Sequence, residues 1–484
     1  MNSPLRKVAI SVLVLFTLLI VNVNVIQVIR ADDLRTNPRN TRVLAEEYDS
    51  ERGAIVVGGN EIAKSVSTGE ATLDYLREYP ESTLYAPVTG YYSVVYGKRG
   101  LERAENDVLA GTDSRLALRR LGDILTGRDP SGGNVELTLD AAAQQAAMDG
   151  LAELDGLAGA VVALDPSTGK VLALASSPTF DPNQLSSHDP AAIRAYSDSL
   201  SEDQTTNFAI SQRYSPGSIF KVVVSAAALA TGEYTPDTVV PAPQQLDLPG
   251  TDRELNNYDN ESCDASGQQT LEAALTISCN TAFGQLGMDL GEDAVRDMAE
   301  AFGVDDEGFE VPLQVEGSTV GDIASDAQLA QSSIGQFNVQ LTPMEAAMIA
   351  AAVANDGTLM KPYLVNSVQA PDLTVLDQTD PEEMSQPVSA EVAGQLTEMM
   401  TSVVANGTGR KAQISGVTVA GKTGTAEDGE RLDHNWFIGF APAEDPEIAV
   451  AVFVRNSGGT GGDTSAPVAK AVLEAYLNGT GAGG

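Results

Sequence analysis

The chain has 484 residues, of which 43% are apolar, with a formal net charge of −38 and two cysteines. That length and apolar content can bury at least one large core and favour two or three domains, which excludes a disordered acidic tail. The acidity argues against nucleic-acid binding, because such a surface repels phosphate backbones and no basic patch offsets it. Solubility and salt adaptation both account for the charge, and the sequence does not choose between them.

The first element is an apolar run. Arg6 and Lys7 precede VAISVLVLFTLLIVNVNVIQVI, residues 8–29, 22 positions without a charge and with only Asn22, Asn24 and Gln27 as amide interruptions. It is long enough to span a bilayer, it exceeds a signal-peptide core of about 7–15 residues, and no clean small-x-small cleavage site follows. A retained transmembrane anchor is therefore expected, in preference to a cleaved signal peptide. Arg6 and Lys7 make residues 1–7 a cytoplasmic tail and put everything beyond residue 30 outside the cell. Segment 1–30 holds three cations and no acid, so residues 31–484 carry −38 − 3 = −41.

Residues 31–60 are polar and turn-rich, a linker that ends in the short strand GAIVV. Residues 61–125 read as a small mixed domain. The breaker cluster DPSGGN, 129–134, sets the main boundary, giving a non-catalytic region 30–133 and a large domain 134–484. Beyond it, VELTLDAAAQQAAMDGLAEL passes from strand alternation to alanine-rich helix, and GAVVALDPSTGKVLALAS, 159–176, reads as an antiparallel hairpin turning at Asp165–Gly169.

The next stretch, YSPGSIFKVVV at 214–224, carries chemistry. Only nine lysines occur in the chain, and one of them, Lys221, stands three residues after Ser218. Pro216 and Gly217 break the preceding chain, and IFKVVVSAAALA reads as a buried helix beginning at the serine. Positions i and i+3 share a helix face, so Lys221 can serve as base to a Ser218 nucleophile near the positive helix end. The amine must be neutral for part of the cycle, so its pKa must fall well below about 10.4, through burial or a second cation. Ser167 and Lys170 have the same spacing but lie in a turn between strands, so spacing alone is not the signal.

Two later patterns supply the remaining parts. Ser278-Cys279-Asn280 is the only serine-x-asparagine in the chain, and Lys422-Thr423-Gly424-Thr425 holds the only Lys-Thr-Gly. A Ser278 hydroxyl can relay a proton between Lys221 and a leaving amine, and the Asn280 amide can grip a substrate backbone. Lys422, with the Thr423 and Thr425 hydroxyls on or beside an expected edge strand, suits a terminal carboxylate, and Gly424 lets a backbone approach closely. The backbone N–H groups of Ser218 and Thr425 are candidates for an oxyanion hole.

Together the three motifs resemble those of penicillin-binding proteins and serine β-lactamases. LTLDAAAQQAA, GAVVALDPSTGKVLALASSPTFDPN, SIGQFNVQLTPMEAAMIAAAVANDG and NWFIGFAP are similar to segments of the transpeptidase domain of class B penicillin-binding proteins, and cover most of residues 134–484. NPRNTR and ERGAIVVGGNEIAKS are similar to that family's juxtamembrane start, and the region before residue 134 most resembles the actinobacterial A-type members. The resemblance implies an α/β (α+β) fold with a five-stranded antiparallel sheet flanked by helices, a small N-terminal domain and one transmembrane helix. It implies a D,D-transpeptidase in which Ser218 attacks a peptidoglycan stem peptide, expels terminal D-alanine and passes the acyl group to a neighbouring stem. β-Lactams would acylate the same serine, and a glycosyltransferase of the division or elongation machinery would be a partner. No cofactor is expected.

Alternatives follow from the same residues. A D,D-carboxypeptidase or β-lactamase would give the acyl group to water, but no clear glutamate-plus-asparagine deacylation loop is found. A membrane-anchored sensor would carry a long cytoplasmic segment, and an inactive scaffold would carry a broken motif. Residues 31–133 span only 103 positions, too few for a fused glycosyltransferase domain.

The two cysteines and two distant histidines, His188 and His434, lack the close spacing of a zinc site, so no metal is expected. Cys263 and Cys279, sixteen apart in the exported region, are either a disulfide or two buried thiols. Cys279 is unusual inside its triplet; paired with Cys263, it would pin the loop carrying the relay. Trp436 and Phe437 read as core packing behind the edge strand, and His434 as a strand-end surface residue. Thr342-Pro343-Met344 reads as a helix start with threonine at the cap.

Overall fold

The computed structural model describes residues 3–30, 47–70, 72–117, 119, 122, 131–304, 307–429 and 431–480. The first sixteen residues of the expected linker, with NPRNTR, lie outside the described residues, as do Asp129-Pro130 of the breaker cluster and both chain ends. Helix α1 (Ser3–Asn24) runs into a π-helical turn to Ile29. From Arg6 to Gln27 it is long and apolar enough to cross a membrane, and none of that span is buried in the protein.

Strands β1 (Ile55–Val57), β2 (Asn60–Ser67) and β3 (Tyr75–Glu78) form an antiparallel set, followed by helix α2 (Ser82–Thr89). Strand β4 (Asn134–Leu137) pairs parallel to β1, Val57 opposite Leu137, and Asp140 then caps helix α3 (Ala141–Ala152) by accepting from the Ala143 amide. The hairpin β5 (Gly159–Leu164) and β6 (Val171–Ser177) follows, closed by Asp165 as predicted. Helices α4 (Lys221–Ala230), α5 (Leu271–Thr276), α6 (Asn280–Leu290) and α7 (Pro343–Ala354) come next, and Thr342 caps α7 with Pro343 at its first position. Strands β7 (Val365–Gln369) and β8 (Val375–Gln378) precede helix α8 (Ala390–Asn406). Strands β9 (Ala420–Ala426), β10 (His434–Ala441) and β11 (Ile448–Val454) and helix α9 (Gly461–Thr480) complete the described chain.

The main sheet has five antiparallel strands in the order β9-β10-β11-β5-β6, with β9 at the edge. β5, β11 and most of β6 and β10 read as continuous apolar runs because both faces are covered, while the edge strand β9 carries Lys422, Thr423 and Thr425. Val162, Leu164, Trp436, Ile438, Ala451 and Phe453 point to the core shared with α4, α7 and α8. Val161, Ala163, Phe437, Val450 and Val452 point to the other, shared with α3 and α9. Trp436 and Phe437, adjacent on β10, are fully buried on opposite faces, as the period of two requires.

A second sheet has six strands in the order β8-β7-β4-β1-β2-β3. The small N-terminal layer is thus completed by a hairpin more than 200 residues downstream, which backs onto β4 with Val368 opposite Val135. Apolar patterning marks β1 and β4 in the sequence, but this pairing is set by tertiary contact alone.

Candidate active site

Ser218 does not begin an α-helix. It lies in a 3₁₀ turn, Gly217–Phe220, and α4 starts at Lys221. The tighter turn follows from crowding: Gly217 has φ +54°, and a Cβ there would stand 2.4 Å from the Thr425 carbonyl oxygen on β9. The Gly217 amide donates to Gly335 O at 2.9 Å, so the turn is clamped between the edge strand and the segment after Ser332. Pro216, at the cap position, offers no side-chain acceptor to the first turn. Ser218 stays partly open to solvent while Lys221, on the same short stretch, is completely buried.

Lys221 Nζ lies within hydrogen-bond distance of three oxygens: Ser278 O at 2.7 Å, Asn280 Oδ1 at 2.7 Å and Ser278 Oγ at 3.2 Å. It also lies 5.6 Å from the Phe283 ring centre. Lys422 reaches the same hydroxyl from β9, donating to Ser278 Oγ at 2.9 Å and to Thr423 O at 2.9 Å. Two amines from distant parts of the chain therefore converge on one serine oxygen. Among the described residues the Ser218 hydroxyl has no hydrogen-bond partner, so the meeting point of the lysines is Ser278, not the serine one helical turn away.

The backbone explains how Ser278 comes to be there. After α5 the Ser278 amide donates to Leu275 O and the Cys279 amide to Ala274 O, at 3.1 and 2.8 Å. This is the Schellman pattern, in which the residue at C′ adopts a left-handed conformation and is usually glycine. Here Ser278 takes it, with φ +64°. A side chain in that conformation is strained, which surrounding structure must stabilise. The reward is direction: carbonyl and hydroxyl of one residue both face Lys221.

Burial acts on both lysines. Desolvation, then the charge of Lys422, holds the Lys221 amine well below its ordinary range. Desolvation brings Lys422 down to about 7. Burial thus favours the neutral amine at Lys221, able to accept a proton, while Lys422 keeps its charge in part of the population near neutral pH.

On β9 the alternation puts Thr423 and Thr425 on one face. Thr423 is buried and its hydroxyl pairs with that of Thr408 at 2.6 Å; Thr425 is half-exposed and its hydroxyl accepts from the Gly461 amide at 3.3 Å. The close approach at Gly424 is made by the protein itself: a Cβ would stand 2.6 Å from Pro216 O and 3.0 Å from Ile219 Cγ2. Asn280 has Nδ2 donating to Asn256 O at 3.0 Å, in addition to its bond from Lys221. Thr408 and Asn256 were not singled out in the sequence: Thr408 stands in a turn and Asn256 ends a three-residue strand, Glu254–Asn256, and neither carries a motif.

Cys263 and Cys279 are joined as a disulfide with Cα atoms 5.9 Å apart, tying the loop before α5 to the Ser278 turn. His434 differs from expectation. It is 6% exposed, stacked edge-on against Tyr214 and Phe453, and accepts from the Asn456 amide at 3.1 Å. The loop 455–458 folds over the start of β10 and covers it, which local sequence does not reveal. Burial pushes its imidazole pKa down. Among the described residues no group of three histidine, cysteine or acidic side chains could hold a metal ion.

Comparisons with known proteins agree on one family. The family described as penicillin binding protein transpeptidase domain matches residues 159–474, and the penicillin binding protein A dimerisation domain matches 52–135. A Mycolicibacterium smegmatis protein, peptidoglycan D,D-transpeptidase PbpA, is 47% identical over 99% of this chain and 99% of its own length. The Mycobacterium tuberculosis protein of the same name is 46% identical over 99% of this chain and all of its own. The structure of penicillin-binding protein A from M. tuberculosis as a ceftriaxone acyl-enzyme complex superposes with a TM-score of 0.86 at 46% identity, covering 90% of this chain and all of that one.

Proposed function

The chain belongs to the penicillin-binding protein transpeptidase family, and on that premise we propose how its residues carry the reaction. The enzyme is a peptidoglycan D,D-transpeptidase that works through an acyl-serine and is sensitive to β-lactams. The observation that carries the residue assignment is the convergence of two buried, pKa-lowered amines on Ser278 beside the partly open Ser218.

Ser218 Oγ attacks the penultimate D-alanine carbonyl while the neutral Lys221 amine takes its proton. The oxyanion is held by the backbone N–H groups of Ser218 and Thr425, and the burial of Lys422 makes its charge effective at short range. The proton passes from Lys221 through Ser278 Oγ to the departing D-alanine nitrogen, which leaves as an amine. Lys422 donates to the same oxygen and steadies the relay. An acceptor amine on a neighbouring stem then attacks the ester and loses its proton back along the path, restoring Ser218. Asn280 aligns the stem peptide with the Nδ2 hydrogen not used by Asn256. Thr423, Thr425 and Lys422 hold its carboxylate, with the Thr423 hydroxyl fixed by that of Thr408.

The anchor assignment rests on the exposed apolar helix: residues 1–7 face the cytoplasm, 8–29 span the membrane, 30–133 form the non-catalytic layer and 134–484 the transpeptidase domain outside. A glycosyltransferase of the wall machinery supplies the glycan strands that this chain cross-links.

Fluorescent penicillin with intact-mass detection tests the assignment. One adduct per chain, stable for hours and absent in Ser218→Ala, is expected. An adduct that persists in Ser218→Ala would remove the nucleophile assignment, and rapid turnover of the wild-type adduct would point to hydrolysis.

A further inference from the structure

Helix α6 begins at Asn280, and the residue at its cap position is Cys279, whose sulfur is committed to Cys263 and whose side chain makes no capping hydrogen bond. A helix start without a side-chain acceptor leaves first-turn amides unpaired. Here the acceptor comes from elsewhere in the chain. Asn257, only 9% exposed, accepts from the Thr281 amide through Oδ1 at 3.1 Å. Its Nδ2 donates to Glu261 O at 3.2 Å and Gln244 O at 3.5 Å, and Thr281 Oγ1 donates to Pro243 O at 2.6 Å. The loop thus binds the helix start at several points.

The neighbouring residue controls a side-chain orientation. Asn256 O accepts from Asn280 Nδ2, and a carbonyl can only accept, so the amide of Asn280 must turn Oδ1 toward Lys221 Nζ. A half-turn of that amide would set carbonyl against carbonyl and lose the bond to Asn256 O. Ser278, strained at φ +64°, needs the same external support.

We propose that Asn257 is a positioning residue: by capping α6 across the loop, it fixes the Ser278–Asn280 turn against the Lys221 amine. The step served by that turn rests on the transpeptidase reading; the brace itself does not.

Asn257→Ala and Asn257→Asp separate positioning from mere stability. Aspartate can still accept from the Thr281 amide at a helix N-terminus, although it loses the bonds to Glu261 O and Gln244 O; alanine does neither. Three quantities are measured in the full chain: hydrogen exchange over residues 278–283, the second-order rate of penicillin acylation against pH, and Tm. Asn257→Ala should speed exchange at 278–283, slow acylation about five- to tenfold and displace its acidic limb, with Asn257→Asp recovering most of both. If Asn257→Ala lowers Tm while exchange at 278–283 stays as in wild type, the proposal is overturned. A looser turn with an unchanged acylation rate and pH profile overturns it equally. A wild-type chain that took up no penicillin would sink the transpeptidase reading, while the exchange measurement would still decide the brace.

Discussion

Among the described residues, two buried clusters of charged side chains end in opposite charge states. In the N-terminal layer, Glu102 sits between two arginines, with Arg52 Nε and Arg77 Nε each 2.6 Å from one of its oxygens and all three side chains nearly inaccessible. Tyr79 donates to the same carboxylate at 3.1 Å. Desolvation alone would neutralise Glu102, but Arg77 and then Arg52 outweigh it and hold the carboxyl below its usual range. In the catalytic domain, the Lys221 and Lys422 amines have only neutral oxygens as hydrogen-bond acceptors, so burial wins. What separates a structural charge from a reactive amine is whether a counter-charge is buried with it.

The largest expected effect breaks the catalytic cluster. Lys221→Met removes the base with a side chain of similar length, and the acylation rate should fall by about 10²–10⁴. Its Tm should move less than that of the next variant, because no counter-charge is stranded. An acylation rate within a few-fold of wild type would show that another group takes the serine proton.

Glu102→Ala should do the converse. It leaves two buried guanidiniums unpaired and should cost about 3–5 kcal/mol of stability, read by denaturant unfolding. Folded variant should acylate at the wild-type rate, since the cluster lies in the other layer. A stability loss below about 1 kcal/mol would mean that the arginines find water or other acceptors.

The smallest effect concerns pH. Lys422 lowers the pKa of Lys221 by repulsion, so Lys422→Gln should let Lys221 protonate at higher pH. The acidic limb of residual acylation should therefore move upward, and a limb that stays in place would deny the coupling. The stability sign follows too. Lys422 is lowered from 10.5 to about 7 in the fold, so the unfolded chain binds more protons between those values. Wild type should gain stability relative to Lys422→Gln as pH rises from about 7 toward 10.5.

Much of this was legible in linear order. GAVVALDPSTGKVLALAS announces a hairpin because period-two packing and an aspartate turn are local, and α7 announces its start through Thr342-Pro343 for the same reason. The Ser-x-x-Lys, Ser-x-Asn and Lys-Thr-Gly motifs name the candidate participants since each is a short covalent pattern. The 3₁₀ turn at Ser218 was not legible, because it is imposed by the backbone of β9 pressing on Gly217. His434 was misplaced since the loop that covers it arrives from beyond β11. Asn257 carries no motif, and its importance appears only when the loop meets α6.

By itself, then, the order of residues determined the long apolar N-terminal helix, the 159–176 hairpin, the start of α7 and which side chains have chemistry to offer, all of which depend on neighbours within a few positions. Tertiary structure alone decided that Lys221 and Lys422, 201 positions apart in sequence, share the oxygen of Ser278. It also decided that both amines are lowered, since desolvation and repulsion are properties of a place in space and not of a place in the chain.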